Sequence, residues 1–178
     1  MYKRVLTPEQ IEEICASHAL WLENKIDENG NRSGKQADFS CKKLVEADLS
    51  DKKLDYADFY YAQLDNADLR GSSLKNTNFY KACARDADFR ETDLTEAKMQ
   101  NSYFLGSNFS NATLYKANLY MSEFQGANFR SAVLEWADTQ AADMRGANLK
   151  DADIRNINTI NLKLGGNNLN LRRDFRSI

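Results

Sequence analysis

Apolar residues return at every fifth position. From Phe39 to Leu169 the register holds at 27 positions: thirteen Leu, eight Phe, two Met and one Ile, with Ala84, Thr139 and Thr159 the departures. Eight of the nine Phe in the chain lie on this grid. Two residues before each centre the residue is small, being Ala, Ser or Thr in 22 of 27 cases. A period of five fits neither a helix, at 3.6 residues, nor a plain strand, at 2. The pattern predicts one long tandem repeat over residues 37–171. A narrow interior explains the two classes, because close packing leaves room for one large and one small side chain per unit.

A second period lies over the first. Gly106, Gly126, Gly146 and Gly166 recur every twenty residues. Tyr60, Tyr80 and Tyr120 share another twenty-residue phase, and Arg70, Arg90, Arg130 and Lys150 a third. Four five-residue units make twenty, so each set is expected to form a vertical column. Asp or Asn precedes alternate centres, at Asp48, Asp68, Asp88, Asn108, Asn128, Asn148 and Asn168 and again at Asp38, Asp58, Asn78, Asn118, Asp138 and Asn158. Two opposite sides are therefore expected to carry Asp/Asn ladders that bond backbone groups at turns.

The unit reads A-(D/N)-(L/F)-x-x, with clear copies at Ala47–Leu49, Ala57–Phe59, Ala67–Leu69, Ala87–Phe89, Ala117–Leu119, Ala127–Phe129 and Ala147–Leu149. In this the chain resembles the pentapeptide-repeat family. The resemblance implies an all-β solenoid, a right-handed quadrilateral β-helix with one pentapeptide per side. It also implies that the centre and the small residue point inward. At a strand spacing of about 4.8 Å, nearly seven coils would make a rod roughly 30 Å long.

An open solenoid end exposes core and unpaired backbone, so it must be covered. Thr7-Pro8-Glu9-Gln10 reads as a helix start with a capping box. Ile11, Ile14, Cys15, His18, Trp21 and Leu22 follow on one face. A helix over about 8–24 is predicted to lie across the first coil, with residues 1–36 as cap and lead-in. His18 and Trp21 read as residues that pack this cap, since a lone His without a second ligand or nucleophile is weak chemistry. Lys42 and Lys52 sit in small-residue slots and are expected to reach water or Glu12 and Glu13. Ala84 leaves a gap that neighbouring Phe104, Phe79 and Phe89 can fill. At the other end, the seven-residue tail 172–178 provides no comparable helix. Leu169, Leu171, Phe175 and Ile178 form an apolar patch, and a homodimer through the C-terminal coil is expected.

Composition narrows the function. The 178 residues fit one domain, and the net charge of −2 gives no basic nucleic-acid footprint. Charge is uneven: residues 37–96 hold 13 acidic and 9 basic residues, and residues 97–171 hold 6 and 7. The start lacks a signal-type apolar run and no stretch is long enough to span a membrane, so a cytoplasmic location without membrane contact is expected. Cys15, Cys41 and Cys83 show no metal spacing and read as reduced thiols, Cys41 the most exposed. There is one His and no phosphate-loop, zinc-protease or serine-hydrolase motif, so neither an enzyme nor a cofactor is expected.

Surfaces remain. Tyr60, Tyr61, Tyr80, Tyr120 and Met121 share one side and are the candidate partner surface. Arg70, Arg90, Arg130 and Lys150 form a basic ladder opposite, with Glu91 and Asp151 as adjacent counter-charges. The first reading is a non-catalytic interaction module or scaffold for a protein partner. The resemblance supplies another, a DNA mimic that binds DNA gyrase or topoisomerase IV, as the quinolone-resistance branch of that family does. The third is a self-assembling scaffold.

Overall fold

The computed structural model describes residues 5–24, 26, 30, 31 and 33–166. Parallel bridges join residue n to residue n+20 from Asp38↔Asp58 to Asp143↔Lys163. The chain therefore winds a coil of four sides every twenty residues, and residues 37–156 make six such coils. Each short extended piece holds its neighbours on both flanks. The Phe39 N–H donates to the Asp58 carbonyl (2.8 Å), and the Asp58 N–H donates back to Ala37 (2.9 Å).

Between sides the chain turns through a four-residue corner. The Ala47 N–H donates to the Leu44 carbonyl at 3.1 Å, and Glu46, just before it, has φ +59°. The same left-handed residue occurs at every fifth position from Cys41 to Gly166, with φ between +53° and +71°. Most of these residues are not glycine. A left-handed L-residue costs about 1–2 kcal/mol, so the stacked ladder must outweigh a strain that is renewed at each corner.

The interior follows the five-residue grid. All centre residues from Phe39 to Ile154 are buried, and so are the small residues that face them, apart from Lys42, Lys52 and Ala152, which are half-buried. Phenylalanines stack face to face one coil apart, Phe39 on Phe59 on Phe79 (5.0 and 4.7 Å between centroids) and Phe89 on Phe109 on Phe129 (4.7 and 5.0 Å). At Ala84 the gap closes as expected. The ring of Phe104, one coil further on, meets Phe79 and Phe89 edge to face at 6.4 and 5.7 Å. Burial fades at the far end, where Thr159 is half-buried and Leu164 is 36% exposed.

The helix α1 spans Pro8–Leu22, two residues less than the apolar spacing suggests, because Glu23 caps it and Asn24 turns left-handed (φ +54°). Thr7 and Gln10 form the expected capping box. Ahead of it, Val5 bridges Lys43 and the Leu6 N–H reaches the Lys43 carbonyl at 3.5 Å. That bond repeats the one from Leu44 N–H to Gln63 one coil on (2.7 Å), so buried Leu6 stands in the register of a centre residue. Ile11, Cys15 and His18 bury themselves beneath α1, and Lys52 reaches Glu12 at 2.6 Å. Gly34 (φ +70°) carries the lead-in across the helix, where a Cβ would lie 2.0 Å from the Ser17 carbonyl oxygen.

Candidate interaction surfaces

The corner slot between two sides places Tyr60, Tyr61, Tyr80, Tyr120 and Met121 along one edge. The structure brings only some of them together. Tyr60 and Tyr80 stack at 5.9 Å with rings 6° apart, because they lie one coil apart in the same slot. Tyr61 meets Tyr60 edge-on at 4.6 Å, and the Lys81 ammonium lies 5.3 and 5.2 Å from the Tyr61 and Tyr80 rings. Tyr120 and Met121 belong to the same edge but stand two coils away, beyond Gln100 and Asn101. Met121 is 50% exposed and Tyr60 38%, while Tyr61, Tyr80 and Tyr120 are half-buried.

The sequence reading missed the companion edge. Trp136 is 54% exposed and Tyr56 51%, both in left-handed corners (φ +64° and +67°). They share a twenty-residue phase across the side from the tyrosine edge, and that phase was the available signal. Tyr56 is engaged by Trp21 of α1 at 6.3 Å.

On the opposite edge, Arg70, Arg90, Arg130 and Lys150 do form one column, but their counter-charges are not the expected Glu91 and Asp151. The ladder aspartates two residues upstream take that role. Both Arg70 and Arg90 fork onto the carboxylates of Asp68 and Asp88 respectively, and Arg70 also approaches Asp88 at 3.7 Å. The Arg70 pairing holds the Asp68 carboxyl below its usual range. Each ladder residue also accepts a backbone N–H two residues on, as Asp88 does from Arg90 (3.1 Å) and Asn128 from Arg130 (3.1 Å). Amides link coil to coil, Asn128 to Asn108 at 3.1 Å and Asn148 to Asn128 at 3.0 Å. Arg130 and Lys150 therefore follow neutral asparagines, and no ion pair to either is found among the described residues.

The remaining candidates are structural. His18 is fully buried between α1 and the first coil. Lys42 is half-buried and lines a cleft of ≈ 460 Å³ with Gln10, Glu13, Lys35 and Asp38. Cys41 and Cys83 are both half-buried, and the Cys83 thiol, which donates to Asp65 at 3.1 Å, is pushed up to about 11 by burial. Among the described residues no group of His, Cys, Asp and Glu could hold a metal, and no helix is long and apolar enough to cross a membrane. Leu169, Leu171, Phe175 and Ile178 lie outside the described residues.

The family of pentapeptide repeats matches in eight copies across residues 35–71, 53–91, 72–107, 92–130 and 127–158. The chain belongs to the pentapeptide-repeat family. Its fold is accordingly that family's right-handed quadrilateral β-helix, and proteins of the family are generally non-catalytic. Among solved structures it is similar to HetL, a pentapeptide repeat protein involved in heterocyst differentiation regulation from the cyanobacterium Nostoc sp. strain PCC 7120. That likeness has a TM-score of 0.59 at 23% identity and covers 75% of this chain and 62% of HetL. The chain thus spans less than two thirds of HetL. QnrB1, a plasmid-mediated fluoroquinolone resistance protein, matches with a TM-score of 0.37 at 23% identity over 73% of this chain and 76% of its own. Rfr23 from the cyanobacterium Cyanothece 51142 matches with a TM-score of 0.38 at 23% identity over 55% of this chain and 63% of its own. No curated protein matches the chain.

Proposed function

We propose that this chain is a non-catalytic interaction rod that docks a protein partner on the side between its two aromatic edges, with α1 serving as the cap of the N-terminal end. The observation that carries the reading is where exposed apolar residues fall. Tyr60 and Met121 on one edge and Tyr56 and Trp136 on the other flank the same side, all between 38% and 54% exposed. Tyr and Trp are the residues that most often anchor protein interfaces. Met121 and Trp136 also occupy left-handed corners, which Gly or Asn would hold with less strain. The capping role of α1 rests on Leu6, Ile11, Cys15 and His18, which occupy the end of the core.

The test is capture from the native cytoplasm with three baits: the wild type, a Met121→Glu/Trp136→Glu double variant, and an Arg130→Glu/Lys150→Glu double variant. A partner retained by the wild type and the opposite-edge variant, and lost by at least tenfold with the aromatic-edge variant, supports the reading. Equal retention by all three removes it.

A second reading has one specific observation in its favour. The side of the first aspartate ladder, with its corners, carries Glu46, Asp48, Asp51, Asp65, Asp68, Asp86, Asp88 and Glu91 against Arg70, Arg85 and Arg90 over its first three coils. A negative strip of that kind suits a DNA mimic acting on DNA gyrase or topoisomerase IV. A supercoiling assay with a fluoroquinolone separates the two readings. Protection or inhibition at micromolar protein supports the mimic, and no effect leaves the interaction rod.

A further inference from the structure

His18 occupies a place where the solenoid pattern would otherwise supply backbone. At most later corners the N–H of the small residue closes the turn, as Ala57 does onto Leu54 at 3.0 Å. The first such N–H, that of Ala37, donates instead to His18 Nδ1 at 3.0 Å. Coil-to-coil bonds normally fill the carbonyl that follows each side, as the Glu46 N–H fills Asp65 at 3.0 Å. At Asp55 that carbonyl lies 3.0 Å from His18 Nε2. One imidazole thus completes two backbone groups of the first coil.

These two contacts determine the tautomer. Nδ1 receives a backbone N–H, so it carries a lone pair, and the proton sits on Nε2 and is donated to Asp55. A second proton on the ring would point Nδ1–H at the Ala37 N–H. The hydrogen bond is then replaced by a donor–donor clash in a fully buried site.

We propose that His18 is a proton-operated latch: its neutral ring holds α1 on the first coil, and protonation releases the helix while the rod stays folded. Release would uncover the core end beneath Ile11 and Cys15 and open the first coil's edge to pairing.

The surroundings favour the neutral ring. On α1 the ring stacks on Trp21 at 5.4 Å, and the neighbouring Cys15 thiol is pushed up to about 11 by burial, so it is uncharged. The first coil contributes Tyr56 and the Asp55 carboxylate, which is occupied by the Ser73 hydroxyl at 2.5 Å and the Lys75 N–H at 3.0 Å. The nearby charges of Lys52 and Glu12 pair with each other at 2.6 Å. Burial depresses the ring below its ordinary 6.5, although the Asp55 contacts oppose this in part. The sign follows from that depression. Docking is complete above about 6.5 and weakens as pH falls below it, by about tenfold per pH unit until the docked ring itself titrates. The chain has no other His, and the shifted carboxylates of Asp48, Asp68 and Asp93 lie below their normal range. No second imidazole titrates in the same window.

Hydrogen exchange of the full chain at pH 7.5 and pH 5, corrected for intrinsic rates, tests this against His18→Gln. A glutamine can accept from Ala37 and donate to Asp55 but does not titrate. The expected result is at least tenfold loss of protection in α1 of the wild type, with rod amides unchanged and the variant flat. Constant wild-type protection, or an equal loss in His18→Gln, overturns the latch. If the variant is undocked at both pH values, NMR titration of the wild type decides. One shared midpoint for the His18 ring and the α1 amides supports the proposal, and separate midpoints overturn it.

Discussion

The side that carries Asp48, Asp68 and Asp88 in its first half carries Asn108, Asn128 and Asn148 in its second. Geometry does not change across that boundary. Asp88 and Asn128 each accept the N–H two residues on at 3.1 Å. On this side and its corners charge changes completely, from Glu46, Asp48, Asp51, Asp65, Asp68, Asp86, Asp88 and Glu91 against Arg70, Arg85 and Arg90 in the first three coils to Asp151 alone against Arg130, Arg145 and Lys150 in the next three. The backbone needs an acceptor oxygen at the ladder position, and either residue supplies one. Surface charge is thus free to vary along a rod whose internal structure repeats. In the first half Arg70 and Arg90 relieve the stacked carboxylates, whereas the same column goes on as Arg130 and Lys150 where there is nothing to relieve.

The largest test of this comparison lies beneath it. Leu74 and Leu114 are fully buried in one column, one under each half. Replacing either with Lys places a charge in the stack without a partner and should cost about 4 kcal/mol or more by chemical denaturation. The two costs should agree within about 0.5 kcal/mol. A wider difference would mean that the halves differ in their cores and not only in surface charge.

A smaller effect separates the oxygen from its charge. Asp68→Ala and Asn128→Ala each remove an acceptor from a corner N–H and should cost about 1 kcal/mol. Asp68→Asn keeps the acceptor and loses the pair with Arg70, whose side chain is 50% exposed. That exposed pair is screened by solvent and contributes little. If Asp68→Asn is as damaging as Asp68→Ala, charge rather than the acceptor holds the ladder.

Acid gives the finest distinction. The Ser50 hydroxyl holds the Asp48 carboxyl below 3.8, and Arg70 does the same for Asp68. A depressed carboxyl contributes stability that is complete above its ordinary value and is lost as pH falls through the folded one. Amide shifts of Ser50 and Arg70 should therefore move as pH drops from about 4 towards 2, while those of Ser110 and Arg130 hold. Parallel movement in both halves would erase the distinction.

Much of the architecture was legible in advance because a narrow core tolerates only a few side-chain sizes. The five-residue register, the twenty-residue coil, the ladders and the capping box at Thr7 could all be read from residue type and spacing. The surfaces were less legible. Phase put Tyr60, Tyr80 and Tyr120 in one column, but contact needs adjacent coils, and only Tyr60 and Tyr80 have that. Glu91 looked like a partner for Arg90 because it is next to it in sequence. The fold instead turns the residue two before the arginine onto the same side.

The sequence by itself determined the five-residue period, which follows from residue type at a fixed spacing, while the four sides and the inward-facing pair came with the family resemblance. It also placed an amphipathic helix ahead of the rod. Only the tertiary structure showed that every corner from Cys41 to Gly166 turns left-handed, since Tyr61, Met121 and Trp136 adopt there a conformation their side chains do not favour. It likewise decided what His18 touches. A single histidine on a helix face is uninformative until the Ala37 N–H and the Asp55 carbonyl of the first coil are brought to its two nitrogens.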